Sequence, residues 1–349
     1  MNELLITLPD NYDKIVERLL RADWLIHNFR AKEPNGLYNP ANYLYNVEFH
    51  NAEYRALLDL NVLQYAVNCV KKDAMRDLYR DACAVLVFCR AAEIQIEPAL
   101  SIYERINYNA ENLEEALDEL ALLRSLDNAD VEQLARYALG DKQALRDIEP
   151  AEIDRKTLGA KLTEYRRLTH WDSIYLLVLA AVSTYWNNKV QPQRKLERYL
   201  DWVVREFRIS LPCIVYAVRL FGHNPLSNMM KFRVDLNDHS RRAAIFNMTW
   251  DLFHIDHFLK TWIDPEKKWE EIFFTQDRML KSLLRLAISV QYREDISPLL
   301  NFLTPSQATM CRTIIDGRSD REDRAYGTDA WSPEHRDQLI SKLERELYD

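Results

Sequence analysis

The sequence predicts a helix-rich α/β fold, in which two separate pieces of the chain form a small parallel sheet and a large helical segment lies between them. Apolar, strand-like runs at 54–58 and 271–275 each end at or near an aspartate and pass directly into a helical pattern. From 111 to about 245, apolar residues recur almost purely with the 3.6-residue period of helices. The 349 residues include only six glycines, which argues against an all-β protein with many tight turns.

The first 110 residues contain one amphipathic helix and the first two predicted strands. The predicted order is helix 11–30, an Asn- and Tyr-rich connection to about residue 53, strand 54–58, helices 61–70 and 73–92, strand 94–96 and a helix from Pro98. Parallel strands need a long crossover connection, usually a helix. The helices between the two strands therefore allow them to pair in parallel.

The rest of the chain is predicted to be helical apart from one strand and one loop. The predicted helices cover 113–123, 131–145, 157–169, 171–188, 193–207, a stretch after Pro212, 240–262 and 278–292, with strand 271–275 before the last of these. Residues 316–329 are charged and rich in turn formers, which predicts a mobile loop. A final helix begins near Ser332, where Ser caps and Pro333 occupies the first turn.

These elements divide the chain into four predicted parts. Residues 1–53 form an N-terminal helix and connection. Residues 54–110 and 240–300 together form the split α/β domain. Residues 111–239 form the helical insertion, and 301–349 form a C-terminal loop and helix.

Composition and charge exclude several classes of protein. The net charge of −8 argues against a protein that coats nucleic acid by bulk electrostatics, although a local basic groove is compatible with it. Glycine-rich phosphate loops and nucleophile elbows are missing from the sequence, which disfavours ATP-driven chemistry and Ser-His-Asp hydrolysis.

The cysteines and the apolar segments indicate a soluble cytoplasmic protein. The five cysteines are odd in number, scattered and without CxxC spacing, so buried free thiols in a reducing compartment are expected. The N-terminal residues lack a signal-peptide pattern. The longest apolar run, Ile174 to Val182, is too short to span a bilayer, and no membrane partner is expected.

Four acidic residues fall where an α/β unit of this kind would gather them. Asp59 and Asp277 follow strands, Glu104 lies on the helix after Pro98, and Asp251 lies on the helix 240–262. Clustered carboxylates do not all ionise readily unless a cation neutralises them. Oxygen-only ligation favours Mg²⁺ or Mn²⁺, and such ions activate water and stabilise the charge that develops on a phosphodiester.

The order of these motifs resembles that of the PIN-domain ribonucleases. The matching features are Asp-Leu-Asn after a strand, a Pro-initiated helix with a Glu, a helix carrying an Asp, and Thr-Gln-Asp-Arg after the final strand. The resemblance implies a Rossmann-like sheet and a Mg²⁺- or Mn²⁺-dependent endoribonuclease. It implies that Asp59, Glu104, Asp251 and Asp277 are the catalytic and metal-binding quartet, with Asn61 and Thr275 as supporting polar residues.

The resemblance covers about a third of the chain, and the sequence departs from the family pattern in two places. Asp-Leu-Asn replaces the usual Asp-Thr/Ser-Asn, which removes a hydroxyl group near the metal. The helical insertion between Glu104 and Asp251 lies far outside a minimal PIN domain. The sequence therefore predicts a larger, divergent relative.

Each acidic residue also has a structural interpretation. Asp59 and Asp277 could be helix caps, and Glu104 could be a solvated helix residue. Asp251 lies on an apolar helix face, where a salt bridge would explain a buried carboxylate as well as a metal would. Glu97 competes with Glu104 for the second position in the quartet.

The Asp251 helix carries further candidates of lower standing. Asp256 is a weaker rival for the third position in the quartet. His254 and His257 are three residues apart and can share a helix face, but no third histidine has matching spacing. They are expected to be ordinary core or surface histidines.

Basic residues near the quartet predict where a phosphate backbone would bind. Arg278, Lys281 and Arg285 share one helix face by their spacing, and further basic residues precede the Asp251 helix: Lys231, Arg233, Arg241 and Arg242. The alternative interpretation of the helix face is a solvated surface. The expected partner is RNA, single-stranded or structured, with stacking on aromatic side chains.

The leading functional hypothesis is a metal-dependent endoribonuclease whose helical insertion selects substrate or binds a protein partner. The first alternative is a non-catalytic helical interaction scaffold that retains a degenerate PIN-like unit. The second is a helical nucleotide-metabolising enzyme with acidic helices around Mg²⁺, which the strand-ending Asp59 and Asp277 oppose.

Overall fold

The computed structural model of the protein describes residues 8–29, 34–72, 76–107, 109–164, 170–317 and 332–348. The predicted loop at 316–329 lies outside the described residues except for its first two. The chain divides into two compact units, one formed by Met1–Arg166 and Thr261–Arg278, the other by Arg167–Lys260 and Met279–Asp349.

The first unit holds the sheet. Its elements are α1 (Tyr12–Ala22), β1 (Leu25–Ile26), α2 (Pro34–Leu37), α3 (Pro40–His50), β2 (Glu53–Leu58), α4 (Leu60–Lys71), α5 (Asp77–Ala91), β3 (Gln95–Glu97), α6 (Ala99–Ile106), α7 (Leu113–Asp127), α8 (Val131–Leu139), α9 (Arg155–Glu164) and, after the second unit's first segment, β4 (Trp269–Phe274). The three predicted strands and the helices between them are confirmed, with ends shifted by a few residues.

The four strands form a mixed sheet in the order β1-β4-β2-β3. β2 pairs in parallel with β3 on one side and with β4 on the other, in a register that places Leu57 opposite Phe273. β1 pairs antiparallel with β4. The prediction of a purely parallel sheet is therefore wrong at one edge, while the small sheet within a helix-rich α/β fold is confirmed.

Two local predictions in the first 53 residues are wrong. The helix predicted over 11–30 ends at Ala22, because Asp23 adopts a left-handed conformation (φ 51°) and the chain turns into β1. The predicted connection contains helix α3, which Pro40 begins and the Asn39 side chain caps by accepting a hydrogen bond from the backbone N–H of Ala41.

Helix α5 forms the centre of the first unit's core. Its residues from Ala82 to Cys89 are all buried. Phe88 packs edge-on against Phe274 of β4, with ring centroids 6.4 Å apart. The sheet therefore packs against a helix whose middle two turns are buried on every side.

The second unit is formed by helices. They are α10 (Trp171–Trp186), α11 (Lys195–Glu206), α12 (Leu211–Phe221), most of α13 (Asp238–Ile263), α14 (Arg278–Arg293) after its first residue, α15 (Ser297–Leu300), α16 (Pro305–Asp316) and α17 (Pro333–Tyr348). The predicted insertion 111–239 is thus shared between the units, since α7 to α9 belong to the first and α10 to α12 to the second.

The longest apolar run of the sequence forms the middle of α10, where every residue from Ile174 to Val182 is buried within the second unit. Among the helices of the described residues, none has both the length and the apolar character needed to cross a membrane.

Gly222 provides a test of the packing at the end of α12. A Cβ atom at this position would lie 2.5 Å from the Phe302 carbonyl oxygen and would also meet the Val218 carbonyl oxygen. We expect Gly222→Ala to lower the free energy of unfolding by about 1–3 kcal/mol, because rigid backbone atoms would have to move. Urea unfolding followed by tryptophan fluorescence measures the change.

Gly317→Ala is the matched control. A Cβ atom at Gly317 has no neighbour within 4 Å, and the backbone φ of −68° suits alanine. This substitution should be neutral or stabilise by about 0.4–1 kcal/mol. Equal effects of the two substitutions would contradict the packing described for Gly222.

Candidate acidic site at the ends of the parallel strands

The carboxyl ends of β2 and β4 lie side by side. The backbone N–H of Asp59 donates to the Phe274 carbonyl at 2.9 Å, and the N–H of Thr275 donates to the Trp24 carbonyl at 3.1 Å. The ladder of backbone hydrogen bonds therefore continues to the residue after each strand. Since β3 and β4 lie on opposite sides of β2, this edge has the geometry in which open α/β sheets bind ligands.

Asp59 is buried, and its carboxylate is oriented towards the end of β4. Oδ2 accepts a hydrogen bond from the Thr275 hydroxyl at 2.8 Å and a longer one from the Asn61 amide at 3.5 Å. Asp59 occupies the N-cap position of α4, but its side chain makes no capping hydrogen bond. A helix cap, the structural alternative that the sequence allowed, is therefore not the role of this carboxylate.

Thr275 links Asp59 to Asp277. Its fully buried hydroxyl donates to Asp59 and accepts a hydrogen bond from the backbone N–H of Asp277 at 3.0 Å. The resulting turn places the half-buried Asp277 immediately before α14, at the same edge of the sheet as Asp59. The Thr-x-Asp motif in the sequence is the local signature of this turn.

Ser101, which was not among the candidate site residues, helps to bring Glu104 close to Asp59. The fully buried Ser101 on α6 donates its hydroxyl hydrogen bond to the carbonyl of Leu58, the last residue of β2. Glu104 lies three residues later on the same helix face. A carboxylate oxygen of Glu104 and one of Asp59 lie within 4.8 Å of each other.

The geometry favours Glu104 over Glu97 as the second carboxylate. Glu97 Oε1 accepts a hydrogen bond from the backbone N–H of Ala99 at 3.1 Å. A carboxylate at the start of a helix satisfies an N–H group that has no partner within the helix and also interacts favourably with the helix dipole. Glu97 therefore has a structural role at the start of α6.

An ion-pair network holds α6 in place. The guanidinium of Arg105 pairs with Glu119 of α7 at 3.0 Å, and Lys71 of α4 lies 3.8 Å from the same buried carboxylate. Burial lowers the pKa of Arg105, but Glu119 and Glu115 together raise it above its ordinary value. The charge of Arg105 is thus stabilised next to Glu104 in the chain.

Tyr65 on α4 is a further residue near the acidic pair. Burial and then the negative charge of Asp59 raise the pKa of its hydroxyl above the ordinary value. The half-buried phenol therefore stays protonated at neutral pH and can donate a hydrogen bond. One local signal could have identified Tyr65, because it follows Asn61 by four residues and shares its helix face.

The helix that carries Asp251 also carries the candidates Asp256 and His254. All three residues lie in the second unit. The buried Asp251 forms an ion pair with Lys231 at 2.6 Å, so the salt bridge that the sequence left open is present. Asp256 pairs with Lys260 one turn later, also at 2.6 Å. His254 is buried, with its ring centroid 6.2 Å from that of Trp250.

The basic residues differ in their surroundings. Arg278, the first residue of α14, is exposed, as is Arg285, whereas Lys281 is half-buried. Three of the other basic candidates pair with carboxylates: Arg233, before α13, with Asp235, and Arg241 and Arg242, near the start of α13, with Asp238 and Glu344. The α14 residues keep the spacing of one helix face that the sequence analysis assigned to phosphate contacts.

Comparisons of the chain with protein-family models, with curated proteins and with solved structures gave no match. The resemblance to PIN-domain ribonucleases therefore rests on the order of the motifs.

Thr275 allows a test of how the site is held together. We expect Thr275→Val to lower the free energy of unfolding by about 1–3 kcal/mol, because the buried Asp59 carboxylate and the Asp277 N–H both lose a partner. Thr275→Ser keeps the hydroxyl and should cost about 1 kcal/mol through the lost methyl group. If the valine variant is as stable as the wild type in urea unfolding, the hydroxyl does not hold this site together.

Proposed function

We propose that the protein is a metal-dependent endoribonuclease with a PIN-like α/β unit. The observation that carries this proposal is the close approach of the Asp59 and Glu104 carboxylates at the carboxyl edge of two parallel strands. Two carboxylates so near each other repel unless a cation or a shared proton offsets their charge. Their position at the usual ligand-binding edge of the sheet favours a cation.

The donor set fits a hard divalent cation. Magnesium binds oxygen ligands, and the carboxylates of Asp59 and Glu104, with oxygens within 4.8 Å of each other, would hold such an ion. Carboxylate oxygens favour Mg²⁺ or Mn²⁺ over softer metals. A cation bound here would activate water and stabilise the charge that develops on a phosphodiester.

The residues of the chain have distinct roles in the proposal. The cation would be held by Asp59, Glu104 and Asp277, with Asp251 as the fourth acidic residue that the family resemblance implies. Thr275 and Asn61 orient the Asp59 carboxylate through their hydrogen bonds. Because Thr275 also fixes the turn before Asp277, one buried hydroxyl positions two of the acidic residues.

Substrate binding in the proposal begins at Arg278, which directly follows Asp277. Arg278, Lys281 and Arg285 recur with the spacing of one helix face on α14 and would bind phosphates of an RNA strand, single-stranded or structured. Phosphate contacts of this kind position a nucleic acid without reading its sequence. The choice of RNA as substrate rests on the resemblance to the PIN-domain family.

The cysteines support a reducing compartment such as the cytoplasm. All five are buried free thiols, and burial raises the pKa of Cys83, Cys89 and Cys213 well above the ordinary value. Thiols of this kind are poor nucleophiles at neutral pH. They are expected to serve as small apolar core residues.

Substitution of the paired carboxylates tests the activity. We expect Asp59→Asn and Glu104→Gln each to reduce Mn²⁺-dependent cleavage of an RNA pool by at least about 100-fold, because each removes a charged metal ligand. Glu97→Gln is the matched control, since Glu97 lies on the same segment and caps α6. It should retain cleavage within a few-fold, and EDTA should abolish cleavage by the wild type.

The outcomes separate the proposal from its alternative. Retained cleavage in both Asp59→Asn and Glu104→Gln would overturn the assignment of the site. Wild-type protein that binds Mn²⁺ in calorimetry but cuts no RNA would support a metal-stabilised interaction scaffold in place of an enzyme. Loss of activity in Glu97→Gln alone would exchange the roles of the two glutamates.

Asp251→Asn tests the fourth acidic residue. If Asp251 acts at the metal, cleavage should fall by at least about 100-fold even when the protein is measured well below its unfolding temperature. If its ion pair with Lys231 is its only role, specific activity should be kept while stability falls, because Lys231 loses its charged partner. Lys231→Met combined with Asp251→Asn should then recover stability, as measured by thermal unfolding.

A further inference from the structure

The second unit contains an open pocket that the proposed ribonuclease site does not use. It has a volume of about 570 Å³ and lies between the end of α10, the start of α11, the end of α12 and the start of α16. The residues that matter for its chemistry are Tyr185, Lys195, Phe221, His223, Thr304 and Gln307. Its size falls within the range of small-molecule sites, about 300–1,000 Å³.

The pocket is free of negative side chains. Among the described residues that line it, none is an aspartate or a glutamate, although the chain has 54 acidic residues against 46 basic ones. Lys195 is half-buried, and burial lowers the pKa of its ammonium group. The lining therefore offers a partly desolvated positive charge, for which an anion is the matching ligand.

The positive end of α16 adds to this charge. Thr304 and Gln307 form a capping box at the first turn of this 12-residue helix, and both residues line the pocket. The capping box satisfies the N–H groups of Thr304 and Gln307, so this helix terminus contributes its partial positive charge, which favours anions. Lys195 and the start of α16 thus both attract an anion.

Aromatic rings form the other part of the lining. The ring centroids of Tyr185 and Phe221 lie 6.4 Å apart. Lys195 donates a hydrogen bond to the Tyr185 carbonyl, and its ammonium nitrogen lies 5.3 Å from the centre of the Tyr185 ring. Phe221 is buried, so the half-buried Tyr185 supplies the aromatic surface. An aromatic surface beside a cation suits a ligand that has both a planar ring and a negative charge.

Hydrogen bonds between the end of α12 and the segment around the start of α16 fix the backbone at the pocket. The His223 N–H donates to the Phe302 carbonyl at 2.8 Å, and the close approach of the two segments leaves no room for a Cβ atom at Gly222. The Gln307 amide donates to the Phe221 carbonyl at 3.4 Å. These bonds join α12 to α16 and hold His223 at the pocket.

We propose that this pocket binds a nucleoside phosphate, with the base against Tyr185 and the phosphate at Lys195, His223 and the start of α16. The ligand can be a free mononucleotide or the phosphorylated end of an RNA strand, since both present the same base and phosphate. The proposal does not depend on the acidic site, because every residue in it belongs to the second unit.

Calorimetric titration of the full chain with AMP tests the proposal, with adenosine and inorganic phosphate titrated separately. EDTA is present throughout, so that no divalent cation at the acidic site can recruit the nucleotide. AMP should bind, and adenosine and phosphate should each bind at least about tenfold more weakly, because each lacks one half of the recognised chemistry. Undetectable AMP binding at millimolar concentration, or phosphate binding as tight as AMP, would overturn the proposal.

Two variants and a matched control locate the binding. Lys195→Gln and Tyr185→Leu should each weaken AMP binding by about tenfold or more, through the lost charge and the lost ring respectively. Lys189→Gln is the control, because Lys189 is an exposed cation of the adjacent connection and does not line the pocket. Thermal unfolding verifies that each variant is folded. Unchanged AMP affinity in both pocket variants would overturn the proposal.

A short 5′-phosphorylated oligoadenylate separates the two sources of the ligand. If the pocket holds an RNA end, the oligonucleotide should bind at least as tightly as AMP, and Lys195→Gln should weaken both. If it holds a free mononucleotide, the oligonucleotide should bind more weakly than AMP. Either result supports a nucleoside phosphate, whereas binding that is insensitive to Lys195→Gln contradicts it.

Discussion

The hydrogen bond from the Thr275 hydroxyl to the Asp59 carboxylate joins two residues that are 216 positions apart in the chain. It exists only because β2 and β4 pair in parallel and their backbone ladder continues to Asp59 and Thr275. A buried carboxylate without such a partner is unfavourable. The pairing of these strands and the burial of the acidic edge therefore require each other.

The second constraint on this edge is the close approach of Asp59 and Glu104. Their approach is imposed by the packing of α6, which Ser101 fixes to the end of β2 and Arg105 fixes to Glu119. These contacts hold carboxylate oxygens of the two residues within 4.8 Å of each other. Such preorganisation is what a metal or substrate site needs, because little reorganisation remains when the ligand arrives.

The long periodic helices and the strands β2, β3 and β4 could be predicted because their signals are local. The two elements that were not predicted, β1 and α3, both depend on contacts with residues distant in the sequence. β1 consists of two residues, Leu25 and Ile26, whose strand conformation comes from pairing with β4. Helix α3 has a weak amphipathic pattern and many asparagines and tyrosines, so its burial against Phe88 through Tyr43 was hidden from any local pattern.

The sequence by itself determined the helix-rich α/β class, the order of the main elements and the residue types at the strand ends. Hydrophobic period and capping chemistry act over a few residues, so they can be read along the chain. Only the tertiary structure decided that Glu104 approaches Asp59 while Glu97 caps α6, and that Asp251 pairs with Lys231. These outcomes depend on which side chains meet across large sequence separations, and identical carboxylates acquire different roles from those neighbours.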